Sequence, residues 1–432
     1  MSHDQPAIPG RSTGGLRALG PAIIVASVVL GPGSILTASK VGGQYGYSMA
    51  WVLVLAGLLM VGMVVLAGRL GVLMQGTICD ELTARLGRPF SALIGIMLFL
   101  VVASFQSSNN IAVVTAVEPF LSSSAEPSTN DSHTLPVAIL LLLNGVIVAA
   151  LYGLKKLYVP IEKFMKLLVA IMIVGFAGNV FFARPSIIEL LKGLIPSLPP
   201  DDDVLPLLGL VATTFSVGGA FYQGYLVREK GWTAGDLKQG LLDSAVGIAA
   251  LCGTTMVIMM TSAAVFYGKD VQLTSAVQVG EQLEPLFGKA AKILFSLGLL
   301  AGAISSFMVN AMVGGAVMAD GFGLGWSMDQ KWPKAFTVLA LAAGMIVGIA
   351  ATAFDFSRVT LIIFAQSLTV VGVPLLAFSL LYLGIQVRRT QPDRIPIWLL
   401  GLAGLGTLMT VILARQTAIS LIEQLLPPSR LT

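Results

Sequence analysis

The chain has 432 residues, of which 56% are hydrophobic and 11% charged, with a net charge of +4 and a mean hydropathy of +0.87. A soluble domain carries about 25% charged residues, and this much apolar surface does not fit inside one water-soluble core. The composition excludes a disordered chain and a soluble globular enzyme and leaves an all-α polytopic membrane protein.

Residues 1–18 are polar and Gly/Pro-rich, lack the pattern of a cleaved signal peptide, and read as a cytoplasmic tail. Apolar runs bounded by charge, Pro or Gly then predict eleven spans, over 19–40, 46–69, 90–117, 135–153, 160–183, 204–227, 240–267, 284–318, 334–353, 357–386 and 395–413. They are continuous rather than alternating, which argues against a β-barrel. The membrane domain is thus 19–413, and 414–432 reads as a polar, amphipathic tail. With the N-terminus inside, 17 of the 26 Lys and Arg residues fall on the cytoplasmic side and 9 on the other. That bias predicts a multi-pass protein of the cell membrane with a cytoplasmic N-terminus and an external C-terminus.

Two spans carry breaks. The first contains Gly31-Pro32-Gly33-Ser34 and the sixth Ser216-Val217-Gly218-Gly219. Pro removes a backbone donor and Gly lowers the cost of unwinding. Free backbone groups are tolerated in a bilayer only where they line a protein cavity. The breaks lie five spans apart. That spacing predicts two inverted five-helix repeats, spans 1–5 and 6–10, with an eleventh span added and a substrate site near the midplane. Gly31, Gly33, Ser34 and Thr37 would then face Gly218, Gly219, Tyr222 and Gln223.

Span 3 holds the polar run Gln106-Ser107-Ser108-Asn109-Asn110. Part of it faces ligand or pairs across helices. Asn109 and Asn110, with Gln366 in span 10, complete the candidate lining, and Asn310, Ser305-Ser306 and Asn144 are weaker candidates. Neither break holds an Asp, Glu, Cys or His. Divalent metals favour carboxylate, imidazole or sulfur ligands. The pattern therefore points to a neutral, zwitterionic or anionic solute, a monovalent ion, or a largely hydrated cation.

The two histidines, His3 and His133, lie in polar stretches, and Cys79 and Cys252 have no metal-binding spacing. No Walker loop, dinucleotide loop or other cofactor motif is present, so neither an enzyme nor an ATP-driven pump is expected. The basic residues sit at span ends, which fits topology rather than nucleic-acid binding. The partners implied are a small-molecule or ion substrate and the lipid bilayer, and oligomeric state stays open.

Several segments, in order, resemble the Nramp family of divalent-metal transporters within the LeuT-like fold. These are Gly31-Pro32-Gly33-Ser34 with Gly46-Tyr47 and Trp51; Gly298-Leu299-Leu300-Ala301-Gly302 with Ser305-Ser306 and Asp320-Gly321-Phe322; and Ala365-Gln366-Ser367-Leu368-Thr369-Val370. The resemblance runs from Leu19 to about Tyr382 and implies alternating access. It also implies where a metal would be held. Gly31 and Ser34 stand at the family's metal-binding Asp and Asn of the first helix. Ala220, Phe221 and Tyr222 are paired with its Met-Pro-His motif, and Val227 with a second His. The third-helix carboxylates fall near Asn109 or Asn110 and Ala112 or Val113, while Gln366 keeps the family's Gln. The chain thus reads as a secondary transporter of a small solute or ion other than Mn²⁺ or Fe²⁺. Hydrated Mg²⁺ is the alternative cargo, and a non-transporting sensor the alternative role.

Overall fold

A computed structural model describes residues 31–121, 134–153, 170, 173–199, 204–269, 273, 276–352 and 358–425. The tail 1–18, the first part of span 1, the Glu118 side chain, most of the loop after it, the start of span 5, Asp355 and residues 426–432 lie outside the described residues. Among the described residues nine helices are long and apolar enough to cross a membrane. Spans 1 and 5 of the eleven expected are only partly described and are not among the nine.

Helix α1 (Pro32–Tyr45) is the described half of span 1. It starts where the sequence places a break. Gly31 is its extended N-cap, and Pro32 takes the first helical position, where its missing N–H costs nothing. It ends at Gly46, whose φ of +61° suits a residue without a Cβ. Helix α2 (Ala50–Leu73) follows. The connector α3 (Ile78–Leu86) is opened by a reciprocal capping box between Thr77 and Asp80 and stopped by Gly87. Helix α4 (Arg88–Leu121) is span 3 and α5 (Thr134–Tyr152) is span 4. The end of span 5, α6 (Ile173–Ala183), bends by 113° into α7 (Ile187–Gly193).

Span 6 is two helices, α8 (Leu205–Thr214) and α9 (Val217–Glu229). The break falls at Phe215–Ser216, so Gly218 and Gly219, expected within the break, lie inside the first turn of α9. Helix α10 (Leu237–Phe266) leads through the short α11 (Ala276–Gly280) and α12 (Glu284–Phe287) to α13 (Ala291–Gly321). Span 8 therefore begins seven residues later than predicted, because Pro285 and Gly288 cut the apolar run into short turns. Helices α14 (Lys331–Ala351), α15 (Arg358–Thr390) and α16 (Ile397–Leu425) close the chain. The last helix runs on to Leu425 without a stop at Leu413, since Leu, Ile, Ala and Gln favour helix through that stretch.

Packing sorts the helices into two groups. Helix α4 packs most extensively on α13, α14 and α15, while α1 packs on α10, α10 on α2 and α2 on α9. Small residues let backbones approach within the second group: a Cβ on Gly71 would lie 2.8 Å from Gly224 Cα. Span 6 is the most central, with 89% of its apolar window buried. The α16 window is 22% buried and faces outward, as a lipid-contacting helix does.

Candidate functional site

The two breaks meet at a cavity of about 20 Å³. Its walls are Gly31, Gly33 and Ser34 from the start of α1, Phe105 and Asn109 from α4, Thr213 and Ser216 flanking the span 6 break, Ser306 and Asn310 from α13, and Gln366 from α15. A single water needs roughly 10–15 Å³. The cavity therefore holds little more than one water or one monatomic ion.

Each wall has a local cause. Ser34 follows Pro32 by two residues, in the first turn of α1, where backbone N–H groups have no helical acceptor. Asn109 is held by Gln106: its Nδ2 donates to Gln106 Oε1 at 3.1 Å, and Gln106 Nε2 donates to the Phe307 carbonyl at 2.6 Å. Gln366 donates from Nε2 to Ser108 Oγ at 2.7 Å. With the amide set this way its Oε1 is buried and has no donor. Serine 306 and Asn310 are four residues apart, and so are Phe105 and Asn109. Each pair shares a helix face, one turn apart.

The structure thus brings Gly31, Gly33, Ser34, Asn109 and Gln366 together at one cavity, joined by Asn310, Ser306 and Ser216. Phe105 and Thr213 were not foreseen. The spacing of Phe105 from Asn109 by one turn was the available signal, and Thr213 stands three residues before Ser216.

Six other expected residues lie elsewhere. Thr37 turns its hydroxyl back to the carbonyls of Gly33 and Ser34, at 2.7 and 3.2 Å. Asn110 donates to the Gln106 carbonyl and accepts from Asn144 Nδ2 at 2.9 Å, away from the cavity. A Cβ on Gly218 would meet Leu98, so that glycine packs against α4. Gly219 is in the same helical turn, outside the cavity wall. Tyr222 stacks on Tyr225 with centroids 5.9 Å apart. Gln223 borders a second, smaller void with Arg69 and Trp232. The cause is common to the residues of α9. The helix resumes at Val217, so residues 218–223 follow its winding and leave the break. Ala220, Phe221 and Tyr222, which the resemblance pairs with a motif at the break, lie one turn inside α9.

The cavity offers backbone groups, hydroxyls and amides, and among the described residues no charged side chain lines it. Among the described residues no group of three His, Cys, Asp or Glu side chains is placed to hold a metal ion.

Comparisons with known proteins agree with this architecture. The chain is 26% identical over 367 residues to the divalent metal cation transporter MntH of Erwinia tasmaniensis, covering 84% of this chain and 85% of that one. It is 27% identical to the MntH of Deinococcus radiodurans, covering 84% and 80%. The crystal structure of the Eremococcus coleocola manganese transporter in complex with an aromatic bis-isothiourea compound superposes with a TM-score of 0.70 over 95% of this chain and 88% of that chain, at 18% identity. Its likeness carries the LeuT-like fold of two five-helix repeats with broken helices 1 and 6. The model of the natural resistance-associated macrophage protein-like family matches residues 22–420, and the chain belongs to that family, Nramp, as a multi-pass membrane transporter.

Proposed function

We propose that this chain is a secondary transporter that carries a small cation by alternating access, with the cavity between the two breaks as its cargo site. The observation that supports this reading most is the wall chemistry. The lining is rich in uncharged oxygens, and the buried Oε1 of the lining residue Gln366 has no donor. An unpaired buried acceptor costs about 1–3 kcal/mol, and a bound cation or its water relieves that cost. A cavity of about 20 Å³ leaves no room for an amino acid or carboxylate without side-chain movement. Neutral oxygens suit a monovalent ion or a cation that keeps most of its water; a dehydrated divalent ion there is poorly compensated.

Gly31, Gly33, Ser34, Asn109 and Gln366 are the proposed contacts. Thr37, Gly218, Gly219, Tyr222, Gln223 and Asn110 shape the breaks and the path from behind. The excess of Lys and Arg in one set of loops supports a cytoplasmic N-terminus and an external C-terminus.

The relatives' printed activity favours a second reading, transport of a divalent metal. In this cavity such an ion would be held through its own water shell. Uptake of Na⁺, K⁺, Mg²⁺ and Mn²⁺ into proteoliposomes separates the readings. Saturable monovalent or Mg²⁺ uptake, weakened by Ser34→Ala, is the expected result. Saturable uptake of Mn²⁺ at low concentration, with Mg²⁺ unable to compete, would falsify the neutral-site reading.

A further inference from the structure

Asp320 stands in the last turn of α13, past its apolar stretch and beside the connector α3. Its side chain is buried, at 3% exposed. The carboxylate accepts a hydrogen bond from Tyr225 Oη at 2.7 Å, and the Thr77 side chain hydrogen-bonds it too. Thr77 Oγ1 already accepts from the Asp80 N–H at 3.0 Å, so its hydroxyl proton is the one turned to Asp320.

No ion pair neutralises the carboxylate among the described residues, although the nearby Arg88 charge favours its ionised form through space. Arg88, the cation that faces it from α4, donates instead to the Asp320 main-chain carbonyl at 3.2 Å. The other titratable groups around it are the Cys79 thiol and Asp80 carboxylate of α3 and the Tyr225 phenol of α9. None supplies positive charge. The C-terminal end of α13 adds the negative pole of its own helix. Two hydrogen bonds stabilise an ionised carboxylate only in part against burial.

The position has a second property. Tyr225 is on α9, in the group of α1, α2, α9 and α10, whereas Asp320 is on α13, in the group of α4, α13, α14 and α15. Their hydrogen bond therefore ties the two packing groups together. Trp326 closes the other side of Tyr225, edge-on at 6.0 Å. In the orientation proposed above, this is the cytoplasmic end.

We propose that Asp320 is a proton-binding site at the cytoplasmic gate, separate from the cargo cavity, with Tyr225 as its latch. The gate closes over a neutral carboxyl. When α9 and α13 part, water reaches the carboxyl, one proton leaves to the cytoplasm, and the charge is hydrated. The closed form binds the proton more tightly than the open form, so the closed population rises as pH falls. This inference rests on alternating access and on neither choice of cargo.

The native thiol of Cys79, fully buried against Tyr225 and Asp320, reports the gate. In Cys252→Ala protein it is the only cysteine. Its alkylation by N-ethylmaleimide in proteoliposomes, without cargo, is followed from about pH 5 to about pH 8 and divided by the rate for the unfolded chain at the same pH. The normalised rate is expected to rise severalfold with pH, at most about tenfold per unit for one proton. D320N should label slowly at every pH, and Y225F should label faster while keeping the pH dependence. A flat wild-type profile overturns the proposal without any variant, and so does an unchanged profile in D320N. Failure of cargo uptake with this profile intact would instead count against the cargo reading alone.

Discussion

Gly33 and Gln366 are in contact across the break in span 1. A Cβ on Gly33 would lie 2.7 Å from Gln366 Cγ and would overlap the amide itself. The glycine thus sets the position of an amide 333 residues away in sequence, and that amide is fixed from its other side by Ser108. A Gly33→Ala protein should fold, because the clash falls on the end of a flexible side chain. Gln366 should leave Ser108 and enter the cavity. Uptake is expected to drop by about tenfold, the effect of losing one buried hydrogen bond of about 1–1.5 kcal/mol, while the melting temperature changes little. Unchanged uptake would remove Gln366 from the site.

Gly31 is an N-cap with φ −104°, a conformation open to any residue. Aspartate is a good N-cap, so Gly31→Asp should cost no stability and places a carboxylate at the cavity wall. Thermal stabilisation by Mn²⁺ should appear in this variant and exceed that of the parent. An equal Mn²⁺ shift in both proteins would mean that the parent already binds the ion through other groups.

Arg228 donates from one guanidinium nitrogen to the carbonyls of Gly71 and Met74, at 3.2 and 2.9 Å, and from the other to that of Gln75, at 2.5 Å. Gly71 is in the last turn of α2, Met74 is its C-cap and Gln75 follows it, so a cation there meets an unpaired helix carbonyl and the negative pole. Arg228→Gln should destabilise the protein by about 1–3 kcal/mol. Lys in its place should rescue only part of the loss, since one ammonium does not span three carbonyls as a planar fork does. Denaturation monitored in detergent checks both.

Gly71 and Gly224 bring α2 and α9 into backbone contact. Neither wall can yield, so Gly71→Ala should force the helices apart and cost about 1–3 kcal/mol. The same change at Gly253, where a Cβ meets nothing within 4 Å, should be neutral or slightly stabilising through helix propensity. Comparing the two melting temperatures isolates packing from propensity.

The sequence by itself determined the solvent of this protein, the course of most of its apolar spans and the place where the first of them breaks. Apolar runs and span-ending charges act locally, and the Gly31-Pro32-Gly33 break in span 1 shows directly in the letters. It also indicated Ser34, Asn109 and Gln366, because polar groups in an apolar span need partners. Which of the polar neighbours face one another was decided only by the tertiary structure. Asn109 and Asn110 are adjacent in sequence, yet a helix turns them about 100° apart, one toward the cavity and the other toward Asn144. The break in span 6 carries no proline, so its location at Phe215–Ser216 followed from packing against α1 and α15. The Asp320–Tyr225 contact joins two spans whose sequences each read as ordinary interface. Only their packing buries that carboxyl without an ion pair and makes it a candidate for proton binding.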